Sequence, residues 1–311
     1  VAGSLRGWCS HEYEPYRLRG KRHFPRIAPP WDGLRLSELD ALRRFCHCPA
    51  LDMPDFRELL YRNYSSTFGQ AKEHRPELAF RMFDRAGRIP PVARSAPIAD
   101  LGCGKGEWLA WLQQQGFTDV RGFDFTASEL AHAAGLAVEC GEVTNTLSSE
   151  RWRGHFALLH AKDLIEHFTK QETIDFLLAC RHALQPGGFL WLSTFNAQGM
   201  FSTATRYGDF THESGFTPGS MAQVLRACGF EVDAVTGVHA CPPSFGGRLR
   251  RLLWRCAAGP ARLVLRARHG GFAAAGIDQF SVDPDLFAIA RKIADQAPRR
   301  SLSGEAAIDG G

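Results

Sequence analysis

No run of apolar residues in the chain approaches the roughly 18 needed to cross a bilayer. The N-terminus carries no apolar signal core either, which argues against a secretory leader. Nine cysteines, an odd number and widely scattered, make no disulfide framework. Cys46-His47-Cys48 has no second Cys/His pair at finger spacing, which removes the common structural zinc modules. Reduced, unligated thiols and a cytoplasmic compartment are therefore expected. There is no internal repeat, so solenoids and propellers are excluded. The net charge of +4 is too small to imply a nucleic-acid partner by itself. What is left is the composition of an ordinary globular protein, 44% hydrophobic and 23% charged over 311 residues.

What the sequence does contain is organised around Ile98-Ala99-Asp100-Leu101-Gly102-Cys103-Gly104-Lys105-Gly106-Glu107. A short apolar strand runs into a glycine-rich turn, and the turn opens an apolar-periodic helix through Trp108, Leu109 and Leu112. Glycine allows a ligand close to the backbone, and the helix start points unpaired N–H groups at the same spot. A second strand, 119–124, ends in Asp124, about twenty residues on, where a carboxylate can hold both ribose hydroxyls. A dinucleotide fold would want a third glycine at position 107, which is Glu107. Further strands and helices alternate: helix 107–115, helix 127–134, strand 136–140, strand 156–161, helix 174–184, strand 189–194, helix 220–227, strand 232–238 and strand 286–290. That alternation implies an α/β fold, a doubly wound, largely parallel sheet.

D-L-G-C-G-x-G-E followed by G-F-D-F-T resembles the first two motifs of class I S-adenosylmethionine (SAM)-dependent methyltransferases. Leu184-Gln185-Pro186-Gly187-Gly188 before a strand fits the family's usual phrase there. The resemblance implies a seven-stranded Rossmann-like sheet with leading helices, over about 54–292. SAM would be held by Asp100, Gly102, Cys103, Gly104, Gly106 and Asp124, with Asp163 nearby and Glu142 near the adenine. For Glu142 a solvated loop carboxylate is the equal alternative. Before the core, helices are expected over 36–45, 56–68 and 78–83. The second of these could fold over the cofactor through Tyr61-Arg62-Asn63-Tyr64 or merely pack. Residues 1–53 form a basic segment with no assigned role, and 293–311 form a Ser/Gly/Ala/Pro-rich tail expected to be disordered.

Methyl transfer from SAM is an in-line displacement, so an enzyme must place the nucleophile and manage its proton. Asp163, Glu166 and His167 stand at i, i+3 and i+4, which on a helix puts them on one face. Three readings are open. His167 can be a general base oriented by Glu166 or Asp163. Asp163, Glu166, His167 and His212 can hold Mg²⁺ or a harder transition ion. Or Glu166 stabilises the helix start while His167 packs beneath it. Asp163-Leu164-Ile165-Glu166-His167 also resembles a stretch of ubiquinone-biosynthesis and small-RNA O-methyltransferases that holds a divalent ion. Taken with Arg206-Tyr207-Gly208-Asp209-Phe210-Thr211-His212, it most resembles methyltransferases of bacterial surface-glycan genes. That resemblance implies a sugar-hydroxyl acceptor, as a small molecule or lipid-linked glycan, with Arg206, Tyr207, Asp209 and His212 shaping its pocket. The alternatives are a lipid-quinone or RNA acceptor with metal assistance, or a SAM-binding scaffold without catalysis. Lys162 brings a cation close to where the sulfonium should sit and, unless it points away, would oppose cofactor binding.

Between the last two strands, Arg248 to Arg268 carry an apolar stripe, Leu249, Leu252, Leu253 and Cys256, among arginines with no acidic interruption. Such a helix can be a packed lid with arginines in water, bind a phosphorylated lipid-linked sugar, or make peripheral contact with an inner-membrane surface. No nucleic-acid module accompanies it, so no specific nucleic acid is expected.

Overall fold

The computed structural model describes residues 91–293 apart from 134, 240, 242–243 and 270–275, together with Arg57 and Leu60. All of these lie within the unit Phe56–Gly311. The expected helices at 36–45 and 78–83, the Tyr61–Tyr64 cover, the segment 1–53 and all but the first residue of the tail 293–311 lie outside the described residues. So does most of the expected helix 56–68, of which Arg57 and Leu60 are helical.

The chain runs β1 (Ile98–Leu101), α1 (Glu107–Gln114), β2 (Val120–Asp124), α2 (Ala127–Leu130), β3 (Val138–Cys140), α3 (Val143–Leu147) and β4 (Phe156–Lys162). It continues α4 (Lys170–Ala183), β5 (Leu184–Phe195), α5 (Ser202–Arg206), α6 (Pro218–Ala227), β6 (Phe230–Val238), α7 (Phe245–His269) and β7 (Asp285–Lys292). The seven strands form one sheet in the order β3-β2-β1-β4-β5-β7-β6. Only β7 is antiparallel to its neighbours. Strand order reverses beside β1, between β2 and β4, and a doubly wound sheet opens its ligand crevice at such a point.

Period-two alternation splits the core between the two sheet faces. Ile98 and Leu158 join Trp108, Leu109 and Leu112 of α1. Ala99, Leu101, Leu159 and Ala161 join Phe176, Leu177 and Cys180 of α4. Local chemistry fixes the helix starts. Thr169 and Glu172 form a reciprocal capping box on α4, and Thr217 and Ser220 form one on α6, which has Pro218 in its first turn.

Three expectations change. Helix 127–134 stops at Leu130, with Gly135 at φ 84°, and the following strand shortens to 138–140. The strand β5 begins at Leu184, ahead of the Pro-Gly-Gly turn, because a register shift against β4 absorbs the turn. Asp163, Glu166 and His167 do not share a helix: Ile165–His167 is a single 3₁₀ turn and Asp163 lies outside it at φ 51°. The basic helix expected over 248–268 does form: α7 runs 25 residues, straight through Pro260. Pro260 is exposed, so the carbonyl its missing N–H leaves unpaired can face water.

Candidate active site

The turn after β1 contacts β2 through its backbone: Gly102 and Cys103 both donate to the Phe123 carbonyl. Gly104, at φ 51°, has nothing within 4 Å of where a Cβ would stand, so its face is open to a ligand. Gly106, at φ 74°, is different, because a Cβ there would run into Leu136 and Ala133. Its bareness lets α1 approach the 133–136 turn. Cys103 also turns inward, its sulfur against the Cα of Gly122, where a Cβ would meet it. Burial, reinforced by Asp100 and Asp124, pushes that thiol up out of the reactive range. Its contribution at the turn is therefore its backbone.

Asp124 is buried at the end of β2 and accepts from the Gly104 and Thr126 amides, both at 2.8 Å. A carboxylate has about four acceptor positions, so two remain for ribose hydroxyls. Asp100 faces the other way. Its carboxylate meets His160 Nδ1 of β4 at 2.7 Å, both side chains being buried, and the His160 ring stacks on Trp108 at 4.0 Å. Asp100 thus braces β1 to β4 beneath the turn. Glu142 caps α3 with both carboxylate oxygens, accepting from Thr144 N and Asn145 N at 2.9 and 2.7 Å. Neither alternative for Glu142 anticipated this helix cap. An open glycine, a positive-φ turn at a helix start and a carboxylate with spare lone pairs fit the adenosyl part of SAM.

Lys162 ends β4, and its ammonium pairs with the Asp163 carboxylate. Desolvation would pull Lys162 down, but Asp163 above all, with Asp285 and Glu166, prevails and holds it above the ordinary lysine value. The cation is thus paired with Asp163 and further offset by the charge of neighbouring carboxyl groups. Burial and Asp163 raise Asp285 to about 6.

Beyond that pair the structure gathers side chains from three segments. Glu166 is buried and accepts from Thr194 Oγ1 of β5 at 2.8 Å. Burial, then Asp163, push its carboxyl up to about 8. Its backbone carbonyl accepts from Glu213 N and Ser214 N, which pins the 206–217 segment over the 3₁₀ turn. Ser214 Oγ fastens the same segment to the Phe168 carbonyl at 2.7 Å. Arg206 donates to the carbonyls of His212 and Glu213, so its guanidinium shapes this loop from within. Tyr207 is exposed.

Asp209, buried, accepts from both the amide and the hydroxyl of Thr211, at 2.9 and 2.7 Å. Burial alone would raise Asp209, but these bonds, together with His212 and His167, hold it below the usual carboxylate range. The Thr211 hydroxyl also lies 2.9 Å from His167 Nδ1. Its one proton goes to Asp209, so it accepts from Nδ1–H, and this tautomer places the lone pair on Nε2. Burial first, and His212 second, lower the His167 pKa, which keeps the ring neutral near pH 7. His212 donates Nδ1–H to the Thr205 carbonyl at 3.1 Å and stacks on Phe195. Its ring centroid is 4.9 Å from that of His167.

Among the described residues, ligand atoms of Glu166, His167 and His212 fall within 4.8 Å of one another; Asp163 is not part of this group. Outer hydrogen bonds from both Nδ1 atoms are what imidazole ligands of a cation normally have. Sequence reasoning missed Thr211, Thr194 and His160. An Asp-x-Thr spacing, which favours a turn closed by the aspartate side chain, was the available signal for Thr211. A polar residue in an otherwise apolar buried strand was the signal for His160.

The sheet order and the glycine-turn site together define a nucleoside-binding α/β protein of the class I SAM-dependent methyltransferase type. A family model described as a methyltransferase domain matches residues 71–235, just over half of the chain, and the chain belongs to that family. Its fold is that of SAM-dependent methyltransferases. Among relatives, the ubiquinone biosynthesis O-methyltransferase of Pseudomonas aeruginosa is 27% identical over 141 residues, covering 38% of this chain and 60% of that protein. The protein of the same name from Roseobacter denitrificans is 31% identical over 121 residues, covering 37% of this chain and 47% of that protein. The chain thus spans about half to three-fifths of the curated relatives it matches. A SAM-dependent methyltransferase from Archaeoglobus fulgidus shares the fold, with TM-score 0.54, 18% identity, and coverage of 75% of this chain and 99% of that one. Phosphoethanolamine N-methyltransferase 2 of Haemonchus contortus, in complex with SAM, shares it with TM-score 0.51 at 15% identity, covering 78% of this chain and 61% of that one.

Proposed function

We propose that the protein methylates a hydroxyl oxygen of a saccharide acceptor and that His167 Nε2 receives the hydroxyl proton. The observation that carries this reading is the Asp209–Thr211–His167 chain, which sets the tautomer and supplies a carboxylate to stabilise the imidazolium. Gly102, Gly104 and Asp124 hold SAM, which supplies a methyl group already activated by its sulfonium charge. Asp124 takes the ribose hydroxyls, while Lys162 and Asp163 keep the nearby charge balanced. Thr211 passes the charge of Asp209 to the ring without taking the proton itself, since its own proton stays on the carboxylate side. Phe195 and Arg206 fix His212 and its loop. The exposed rings of Tyr207 and Phe210, on the same loop, offer flat faces on which the C–H side of a sugar can stack. The saccharide assignment rests on the motif pairing and these rings; the relatives named above act, by name, in quinone biosynthesis.

The Glu166–His167–His212 trio favours a second reading, metal-assisted methylation of a lipid-quinone hydroxyl. Two imidazoles and one carboxylate suit a first-row transition ion better than Mg²⁺, which prefers oxygen donors and its own waters. An ion there would draw the proton from Glu166 and acidify a nearby hydroxyl.

The test is formation of S-adenosylhomocysteine by the metal-stripped protein over nucleotide-linked sugars, lipid-linked sugars and a quinol. Turnover on a sugar, abolished by His167→Ala while S-adenosylhomocysteine still binds, is the expected result. Turnover only on the quinol, and only with added divalent ion, would establish the second reading in its place.

A further inference from the structure

Helix α7 has two unlike faces. Inward, Gly247 and Ala258 are buried, Trp254 Nε1 donates to Asp283 Oδ1 at 2.7 Å, and Arg262 donates to Asp283 Oδ2 at 2.5 Å. Arg251 reaches the Cys241 carbonyl on the same side. Outward, Phe245, Leu249, Leu252, Leu253, Leu263 and Val264 are all between 47% and 78% exposed. At about 100° per residue these six fall within roughly one third of the circumference, with Cys256, Pro260 and Ala267 among them. Arg248, Arg255 and Arg266 lie along one border of this stripe and Arg250 and Arg268 along the other. Seven arginines and no acidic residue occur between positions 245 and 269.

We propose that α7 lies flat on an anionic lipid surface, its apolar stripe sunk to the acyl boundary and its bordering arginines on the headgroup phosphates. A stripe of this length and exposure is costly in water, and arginine stems can follow it into the interface while their guanidiniums stay at the phosphates. Charge decides between lipid and a second copy of the same face. Paired copies would bring arginine borders together with no carboxylate on the helix to answer them, whereas an anionic bilayer complements both borders at once. The helix does not cross the bilayer: no helix among the described residues is long and apolar enough.

The location of α7 gives this surface a use. It follows the carboxyl end of β6, and its clamp Asp283 lies two residues before Asp285, which pairs in register with Phe195 and Val238. That is the sheet edge from which the glycine turn and the Ile165–His167 turn also emerge. A docked α7 therefore holds the catalytic edge at the membrane. On the reading proposed above, on which this last step rests, the acceptor is a lipid-linked saccharide rather than a free sugar.

The experiment is flotation of the full chain with vesicles of phosphatidylcholine alone or with one third phosphatidylglycerol, at low and high salt. Binding to the anionic vesicles is expected, weaker by tenfold or more on neutral ones, and falling about fivefold for each border arginine replaced in Arg248→Ala, Arg250→Ala and Arg255→Ala. Leu253→Glu/Leu263→Glu should abolish flotation while leaving S-adenosylhomocysteine binding unchanged, which certifies the fold. Failure of the wild type to float, or equal flotation by the double variant, overturns the proposal. So does a lipid-free dimer that the double variant dissociates, because the stripe would then belong to a second copy. No methyl acceptor enters this assay, so flotation without turnover on lipid-linked sugars would refute the saccharide reading and leave the docking surface standing.

Discussion

The two halves of the site are built by different means. The proposed cofactor half lies within one stretch, 102–126, made of a strand end, a positive-φ turn and one carboxylate. The proposed acceptor half joins a 3₁₀ turn after β4, a threonine on β5 and a loop some forty residues further on. Backbone amides do most of the work in the first, and side chains in the second. Substitutions should therefore separate the two halves, one set changing binding and the other changing turnover.

The largest effect is expected from His167→Ala, which should lower kcat by about 10²–10⁴-fold. S-adenosylhomocysteine affinity should stay within about twofold of the wild type, since the cofactor half does not use this ring. Asp124→Ala should do the converse. Calorimetry should show S-adenosylhomocysteine affinity weakened by about 100-fold, because a buried carboxylate and its hydrogen bonds are lost together. If both variants affected binding and turnover equally, the division into halves would fail.

The glycines sharpen the contrast inside the cofactor half. Gly106→Ala must both adopt positive φ and displace Leu136, so thermal unfolding should show a loss of about 2–3 kcal/mol. Gly104→Ala meets only the φ penalty, about 1 kcal/mol, and should act mainly by blocking the ligand.

Asp209→Asn addresses the acceptor half through pH. His167 must be neutral to accept a proton, so kcat should rise with pH through a pKa below the ordinary imidazole value of 6.5. Asp209 raises that pKa; removing its charge should move the acid limb to still lower pH and reduce kcat severalfold as the imidazolium loses its support. A limb that moved upward would contradict the proposed relay.

The smallest effect concerns the scaffold under the acceptor half. Arg57 donates to both oxygens of Glu172, at 2.6 and 2.8 Å, and this pairing holds the carboxyl down at about 2. Because the folded pKa is depressed, the stabilisation is complete above the ordinary value of 4.5 and is lost as pH falls from there through about 2. The pair is partly exposed, so Glu172→Gln should cost only about 1 kcal/mol at pH 7, and the difference from wild type should shrink below pH 4.5 and vanish only below about pH 2.

Much of this was legible in the sequence for a physical reason. The Asp100–Glu107 turn and Asp124 work through local conformation and a fixed strand–turn–helix spacing, so their order along the chain already encodes their geometry. The same holds for the alternating strands and helices and for the arginine-bordered stripe of α7. The sequence could name Glu166, His167, Asp209 and His212, but the shared helix face that would have joined Asp163 to them does not form, and that Arg206 braces the loop through backbone carbonyls was not legible. For Glu142 it left adenine contact and a solvated loop carboxylate equally open, and the helix cap was foreseen by neither.

By itself, then, the sequence determined the sheet, the nucleoside-binding turn and the residues from which a catalytic cluster could be drawn. Only the tertiary structure decided which of them meet, which tautomer His167 adopts and which face of α7 is bare. Those outcomes depend on contacts between segments distant along the chain, and burial, hydrogen-bond partners and pKa shifts exist only once such contacts have formed.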